Sequence, residues 1–192
     1  MNKLKDILNK IPFKVSPHII IIAVLIVIII FSLAGRRSID TTLNAYIEAY
    51  TSRDAEAIVK LMPKEYITAL IDSDKITGKN DLTTRVQRLL DVRLEEFDDE
   101  ELATYRYEIS YTEHTSNGDS ARLMYYIDNM FGSYSSKIKE IHVVYIDPYI
   151  TEKSYDGGVY ETPQLQECIY LVKIGYSWYI AEIDGLKHYL GT

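Results

Sequence analysis

An uncharged run of 17 residues, from Ile19 to Gly35, most constrains how this chain can fold. At about 1.5 Å of rise per residue, a helix of this length spans roughly 25 Å, near the lower limit for crossing the hydrocarbon core of a bilayer. A helix buried in a soluble domain normally keeps a polar stripe, whereas this run has only Ser32 near its end. The run predicts a transmembrane helix over residues 18–35, with a central core helix as the alternative.

Basic residues flank the run unevenly and so predict its orientation. Four lysines and one aspartate precede it, whereas Arg36 and Arg37 follow it, with Asp40 close behind. Because the cytoplasmic flank of a membrane segment carries the excess of Lys and Arg, we expect a single-pass protein of the cell membrane. Its N-terminus would be cytoplasmic and its C-terminal domain outside. Residues 1–17 alternate lysines with apolar residues and predict a cytoplasmic amphipathic segment.

The small residues Ser32 and Ala34 leave open whether the membrane segment is retained. Their spacing suits a signal peptidase, so cleavage after Ala34 is one alternative. The basic region before the run is 17 residues long, and the run exceeds an ordinary signal-peptide core. Both features favour a retained signal anchor. If cleavage occurs, the intact mass will be that of a chain lacking the first 34 residues.

Residues 38–192 provide enough chain for one acidic domain of about 150 residues. They contain 15 Lys and Arg against 27 Asp and Glu, a net charge of −12. This charge argues against binding to nucleic acid or to an anionic membrane surface, since both need a basic face. Cys168 is the single cysteine, so no intrachain disulfide is available. An exported domain without disulfides suits a bacterial surface.

Hydrophobic spacing predicts four helices in the first half of this domain. The first covers about residues 38–52, and Asp54 caps a short second helix. Pro63 sits in the first turn of a third helix, which turns Tyr66, Ile67, Leu70 and Ile71 inward. After a turn, a fourth helix runs to about Glu96, and its spacing places Arg93 or Leu94 on its buried side.

Alternating apolar residues predict strands in the second half. Residues 104–112 form the first strand, and residues 121–128 are expected to pair back on it. Residues 137–147 form a third strand, and residues 167–174 and 178–183 form a terminal hairpin. Helices followed by an antiparallel meander predict an α+β domain with helices packed on one face of a sheet.

Two segments resemble the nuclear transport factor 2-like superfamily, a cone-shaped α+β fold shared with ketosteroid isomerases and polyketide cyclases. They are the helix–break–helix of residues 43–61 and the closing hairpin of residues 171–180, and the resemblance spans roughly residues 39–185. It implies a curved antiparallel sheet and, for anchored members, binding or assembly roles, some in secretion and conjugation machines. Catalytic members need a carboxylate base and hydrogen-bond donors in a dry pocket, and neither falls on a matching motif here.

Five tyrosines are the candidate lining of a concave pocket in such a cone: Tyr46, Tyr50, Tyr105, Tyr107 and Tyr111. Their hydroxyls would then point inward. The alternative, which we favour, is that they are core aromatics whose hydroxyls reach the rim.

The other titratable residues predict no catalytic, cofactor or metal site. The acidic run at residues 95–101 lacks the pattern of a calcium loop and predicts a solvated helix end and loop. His114, His142 and His188 lack the spacing of a zinc site. Cys168 is expected to be a buried, inert thiol. The sequence contains no nucleophile elbow and no phosphate-binding glycine loop.

The sequence therefore favours a non-enzymatic, membrane-anchored extracytoplasmic module. Residues 18–35 engage the membrane, and the domain binds a protein partner or a small ligand. Two alternatives stay open. One is a surface isomerase- or hydrolase-like enzyme that uses an inward carboxylate such as Asp128, and the other is a subunit of a conjugation or secretion complex.

Overall fold

The computed structural model describes residues 20–26, 36–116, 127–128, 131–153, 157–183 and 185–190. The chain divides into two compact units, Met1–Arg36 and Arg37–Thr192. In the first unit, residues 20–26 are helical and their apolar side chains are exposed. Among the described residues, no helix is both long enough and apolar enough to cross a bilayer. The rest of the predicted membrane segment 18–35, and the amphipathic segment 1–17, lie outside the described ranges.

The second unit opens with helices, as the spacing predicts. They are α1 (Ile39–Thr51), α2 (Ala55–Leu61), α3 (Lys64–Asp72), α4 (Lys79–Arg93) and the single turn α5 (Asp99–Leu102). Side-chain caps begin three of them, because short polar side chains satisfy the free N–H groups of a first turn. The capping residues are Ser38, Asp54 and Asp98.

Two details of the predicted helices are wrong. Pro63 precedes α3 as its N-cap instead of lying within its first turn. Tyr66 and Leu70 are buried as predicted, but Ile71 is 40 % exposed, and Glu65 is buried on the inward face of α3. The buried Glu65 carboxylate lies 3.4 Å from Lys137 Nζ, which offsets the cost of its burial.

Antiparallel strands form the second half. They are β1 (Arg106–Ser116), β2 (Ile138–Lys153), β3 (Val159–Pro163), β4 (Glu167–Ile174) and β5 (Ser177–Ile183), with a 3₁₀ turn at Gly132–Lys137 and a last helical turn, α6 (Leu186–Tyr189). The sheet order is β1-β2-β4-β5, and β3 also pairs with β2. β3 and β4 follow one another along β2, and Gln164 N donates to Pro148 O between them. The predicted α+β class is confirmed.

The strand predictions differ from the structure in two places. Within the described residues β1 pairs with β2, and the predicted strand 121–128 is wrong at Ile127 and Asp128, which are helical. Residues 117–126 lie outside the described ranges. β3 was not predicted, because its side chains are exposed on both faces and it shows no apolar alternation.

One apolar core joins the helices to the sheet. Tyr46 and Ile58 from the helices and Leu171 and Ile180 from the strands are all 0 % exposed. The single tryptophan, Trp178, is 8 % exposed on β5 and reports on the integrity of this core.

Candidate functional site

Three of the five candidate tyrosines lie together in the interior. Tyr46 and Tyr50 are four positions apart on α1 and therefore share one helix face. Their ring centroids are 5.7 Å apart, and the ring of Tyr105, just before β1, lies 5.8 Å from that of Tyr50. These rings form one aromatic cluster between α1 and the start of the sheet.

A carboxylate and a guanidinium join these rings. Glu167, the first residue of β4, accepts a hydrogen bond from the Tyr46 hydroxyl at 3.3 Å. Arg93, the last residue of α4, places Nη1 3.8 Å from the same Glu167 oxygen. We refer to Tyr46, Tyr50, Arg93, Tyr105 and Glu167 as the tyrosine–glutamate cluster.

Burial keeps the tyrosines of this cluster protonated. The side chain of Glu167 is 10 % exposed and that of Arg93 is 22 % exposed. Desolvation raises the pKa of Tyr46 and of Tyr105 well above the ordinary value, and the Glu167 carboxylate raises both further. The hydroxyls are therefore proton donors. The Tyr105 hydroxyl is buried and has no hydrogen-bond partner among the described residues.

The remaining two candidate tyrosines lie elsewhere, and for Tyr111 the reason is a bulge in β1. The pairing of β1 with β2 shifts between Ile109 and Tyr111, so Ser110 is an extra residue. One extra residue reverses the alternation of the side chains that follow it. Tyr111 is consequently 59 % exposed, and its ring lies 5.7 Å from Tyr145. Tyr107, before the bulge, is half-buried and donates to Asn44 Oδ1 at 2.9 Å.

Sequence reasoning pointed to only part of this cluster. Helical spacing placed Arg93 or Leu94 on the buried side of α4, and both are there, with Leu94 1 % exposed. Glu167 was missed. The alternation of the strand could have indicated it, because Glu167 shares one face of β4 with Ile169 and Leu171, which are fully buried.

Gly185 provides a test of the contact between Arg93 and Glu167. Gly185 has φ +75°, and a Cβ added there would lie 3.2 Å from Arg93 Nη2. Gly175 has φ +64° and nothing within 4 Å of an added Cβ. Both Gly→Ala changes cost about 1 kcal/mol for the left-handed backbone, but only Gly185→Ala also displaces the guanidinium. We expect Gly185→Ala to lower the urea midpoint, followed by Trp178 fluorescence, further than Gly175→Ala. Equal losses would show that Arg93 tolerates the displacement.

Two other acidic features lie at the surface. The enzyme alternative requires Asp128 to face inward from a strand. In the structure Asp128 is helical, and its side chain is exposed. The acidic run begins α5 with a capping box: Asp98 accepts from Glu101 N at 2.8 Å, and Glu101 Oε2 accepts from Asp98 N at 3.0 Å. The predicted solvated helix end is confirmed by the exposure of its carboxylates.

An open depression of about 350 Å³ lies at the end of α1. Its lining residues are Thr51, Ser52, Arg53, Asp99, Leu102 and Ala103. Arg53 Nη2 donates to the carbonyls of Leu94 at 2.9 Å and Phe97 at 2.7 Å. A cation is favoured at the C-terminal end of a helix, here α4, so Arg53 has a capping role.

Two of the histidines, His114 and His142, and the cysteine lie in the sheet. His114 and His142 are cross-strand neighbours with ring centroids 4.9 Å apart, and His142 lies 5.7 Å from the Trp178 ring. Among the described residues, no group of three or more His, Cys, Asp and Glu could hold a metal ion. Cys168 is half-buried beside Tyr145, so the expectation of a buried thiol is only partly met.

His142 makes the stability of the fold sensitive to acid. Burial lowers the pKa of His142 below its usual 6.5, and the neighbouring His114 lowers it further, although Glu140 opposes this. The unfolded chain therefore binds the proton more readily, so stability is full above about pH 6.5 and falls as the pH drops below it. We expect a lower urea midpoint at about pH 5.5 than at about pH 7.5. The difference should shrink in His142→Gln and persist in His188→Gln, which alters an exposed histidine.

Comparisons of this chain with protein-family models, with curated proteins and with solved structures found no match. What is established is the coarse class: helices followed by a five-stranded antiparallel sheet. The likeness to the nuclear transport factor 2-like superfamily stays a prediction from the sequence.

Proposed function

We propose that this protein is a non-enzymatic, single-pass membrane-anchored module whose domain is displayed outside the cytoplasm to bind a partner. One observation carries the proposal. The uncharged run ends at Gly35, and the folded unit begins two residues later, at Arg37. A domain joined so closely to an apolar helix is held at the membrane surface. The basic N-terminal flank supports a cytoplasmic N-terminus.

The proposed fold of the displayed domain is the nuclear transport factor 2-like cone. The order of elements supports it, since helices come first and an antiparallel sheet follows. The resemblance implies binding or assembly roles for anchored members, and these include subunits of secretion and conjugation complexes.

The tyrosine–glutamate cluster supports binding over catalysis. A general base needs an oxygen within reach of the substrate proton. In this cluster one Glu167 oxygen already accepts from Tyr46 and lies 3.8 Å from Arg93, and the tyrosine rings pack beside it. Such a buried, compensated carboxylate is typical of a polar interaction that holds core elements in place.

The β3 region is the surface that we propose for the partner. Val159, Tyr160 and Leu165 are 64 %, 57 % and 90 % exposed, and they fall within seven positions of one another. Exposed apolar side chains grouped in this way mark interaction sites. Within the described sheet β3 pairs with β2 alone, so an extended segment of a partner could add to its other edge.

Site-specific photocrosslinking in native membranes tests this proposal. A photoreactive residue is placed at Tyr160, and a control is placed at Val92, which is 61 % exposed on α4. We expect a discrete protein adduct at position 160, absent at position 92 and lost in Leu165→Asp. No adduct at either position, or equal adducts at both, would refute the proposed surface.

The enzyme alternative is tested by Glu167→Gln, which nearly preserves the shape of the only carboxylate in the cluster. Glu167→Gln is combined with the photoreactive residue at position 160. If this variant folds and still forms the adduct but loses the phenotype of the native chain, the cluster acts as an active site. We expect the phenotype to be retained whenever the adduct is retained.

A further inference from the structure

The first residues of the domain are bonded directly to β5. Trp178 N donates to Arg37 O at 3.0 Å, and Arg37 Nη1 donates to Lys60 O at 3.2 Å. Thr42 Oγ1 contacts both Ser38 O at 2.8 Å and Trp178 O at 3.3 Å. The domain therefore has no loose segment between its first residue and its sheet.

This attachment restricts how far the β4–β5 turn can lie from the end of the apolar run. Gly35 is two residues before Arg37, and Tyr176 is two residues before Trp178. Two residues span at most about 7 Å, so the two stretches together span at most about 14 Å. The headgroup layer on each side of a bilayer is itself roughly 5–8 Å thick. A run that crosses the bilayer and ends near Gly35 thus limits how far Tyr176 can lie from the headgroup layer.

The chemistry of this end suits a lipid headgroup surface. Tyr176 is 70 % exposed at the tip of the turn, and tyrosine is enriched at membrane interfaces because its ring is apolar and its hydroxyl is polar. Lys139 Nζ lies 5.8 Å from the centre of the Tyr176 ring, and the Arg37 guanidinium lies 5.8 Å from that of Tyr179. In both pairs the charged group lies over the ring, so a cation and an aromatic face are presented to the lipid together.

Two acidic groups near this end are paired with lysines. Glu140 lies 2.6 Å from Lys173 Nζ, and Glu65 lies 3.4 Å from Lys137 Nζ. The net charge of −12 disfavours adsorption of the domain as a whole. An anchor joined at Arg37 nevertheless brings the end of the domain that contains Arg37 close to the lipid. Charges more than about 8 Å from the lipid are screened in physiological salt.

We propose that Arg37, Lys139 and Tyr176 form a surface that contacts the headgroups of the bilayer that anchors the domain. This inference rests on the proposed membrane anchor. The β3 region lies at the opposite end of the sheet from this surface, because β3 pairs with residues 149–153 of β2 while the β4–β5 turn lies beside Ile138. The partner surface is thereby directed away from the membrane.

Quenching by lipid nitroxides tests the contact with the full chain. The chain is reconstituted in vesicles of phosphatidylcholine and phosphatidylglycerol that contain a headgroup nitroxide. In a Cys168→Ser background, a fluorophore is attached at Tyr176→Cys or, as the matched control, at Tyr160→Cys, since both tyrosines are exposed. We expect several-fold stronger quenching at position 176 than at position 160, and a clear reduction at position 176 in Lys139→Glu.

The outcomes separate this inference from the anchor on which it rests. If alkaline carbonate leaves the chain in the vesicles but the two labels are quenched equally, or position 176 is not quenched, the headgroup contact is refuted and the anchor stands. If carbonate releases the chain from the vesicles, the anchor itself is refuted. Quenching at position 176 that Lys139→Glu leaves unchanged would refute the role given to that lysine.

Discussion

Glu167→Ala is expected to destabilise the domain by about 3 kcal/mol, because it leaves the half-buried Arg93 guanidinium without its carboxylate and the buried Tyr46 hydroxyl without its acceptor. Glu167 is 8 % exposed, accepts from Tyr46 at 3.3 Å and lies 3.8 Å from Arg93. Urea unfolding of the full chain in detergent, followed by Trp178 fluorescence, measures the loss. Glu167→Gln keeps a hydrogen-bond acceptor and should lose less.

The matched control is Glu161→Ala on β3. Glu161 also pairs with an arginine, Arg106, but its side chain is 51 % exposed, and surface ion pairs contribute little. Its urea midpoint should hardly change. If Glu161→Ala cost as much as Glu167→Ala, burial would not be what makes the tyrosine–glutamate cluster important.

Leu171→Ala is expected to destabilise the domain by about 2–5 kcal/mol. Leu171 is 0 % exposed on β4, where it pairs with His142 on one side and Ile180 on the other. Removing its methyl groups loses apolar burial and leaves a cavity between the sheet and the helices, since packed interiors relax only in part. The same urea titration measures the effect.

Leu165→Ala makes the same chemical change at a residue that is 90 % exposed. No cavity forms there, so the midpoint should stay near that of the native chain. Because Leu165 lies in the proposed partner surface, this variant should instead weaken the crosslink at position 160. A large loss of stability in Leu165→Ala would contradict the description of that surface as exposed.

The parts of the fold that were predictable are those with one buried face. In α1, α4 and the β4–β5 hairpin, apolar residues recur at the spacing of a helix or of a strand, and this spacing can be read directly from the sequence. β3 carries no such pattern, since it is exposed on both sides, so only pairing with β2 reveals it.

The candidate site was less predictable because it depends on distant contacts. The alternation in β1 predicted Tyr105 and Tyr111 on one face, but the bulge at Ser110 places Tyr111 on the other. Glu167 meets Tyr46 across 121 positions of sequence, and no local pattern encodes that pairing. Spacing could indicate that Arg93 is turned inward, but not which carboxylate it meets.

Cysteine accessibility tests most directly the claim that this domain is tethered outside the cytoplasm. In a Cys168→Ser background, intact cells carrying Thr192→Cys or Asn2→Cys are treated with a membrane-impermeant maleimide. We expect Thr192→Cys to react before lysis and Asn2→Cys to react only after lysis, with the chain resisting alkaline carbonate. Reaction of Thr192→Cys only after lysis would contradict the account.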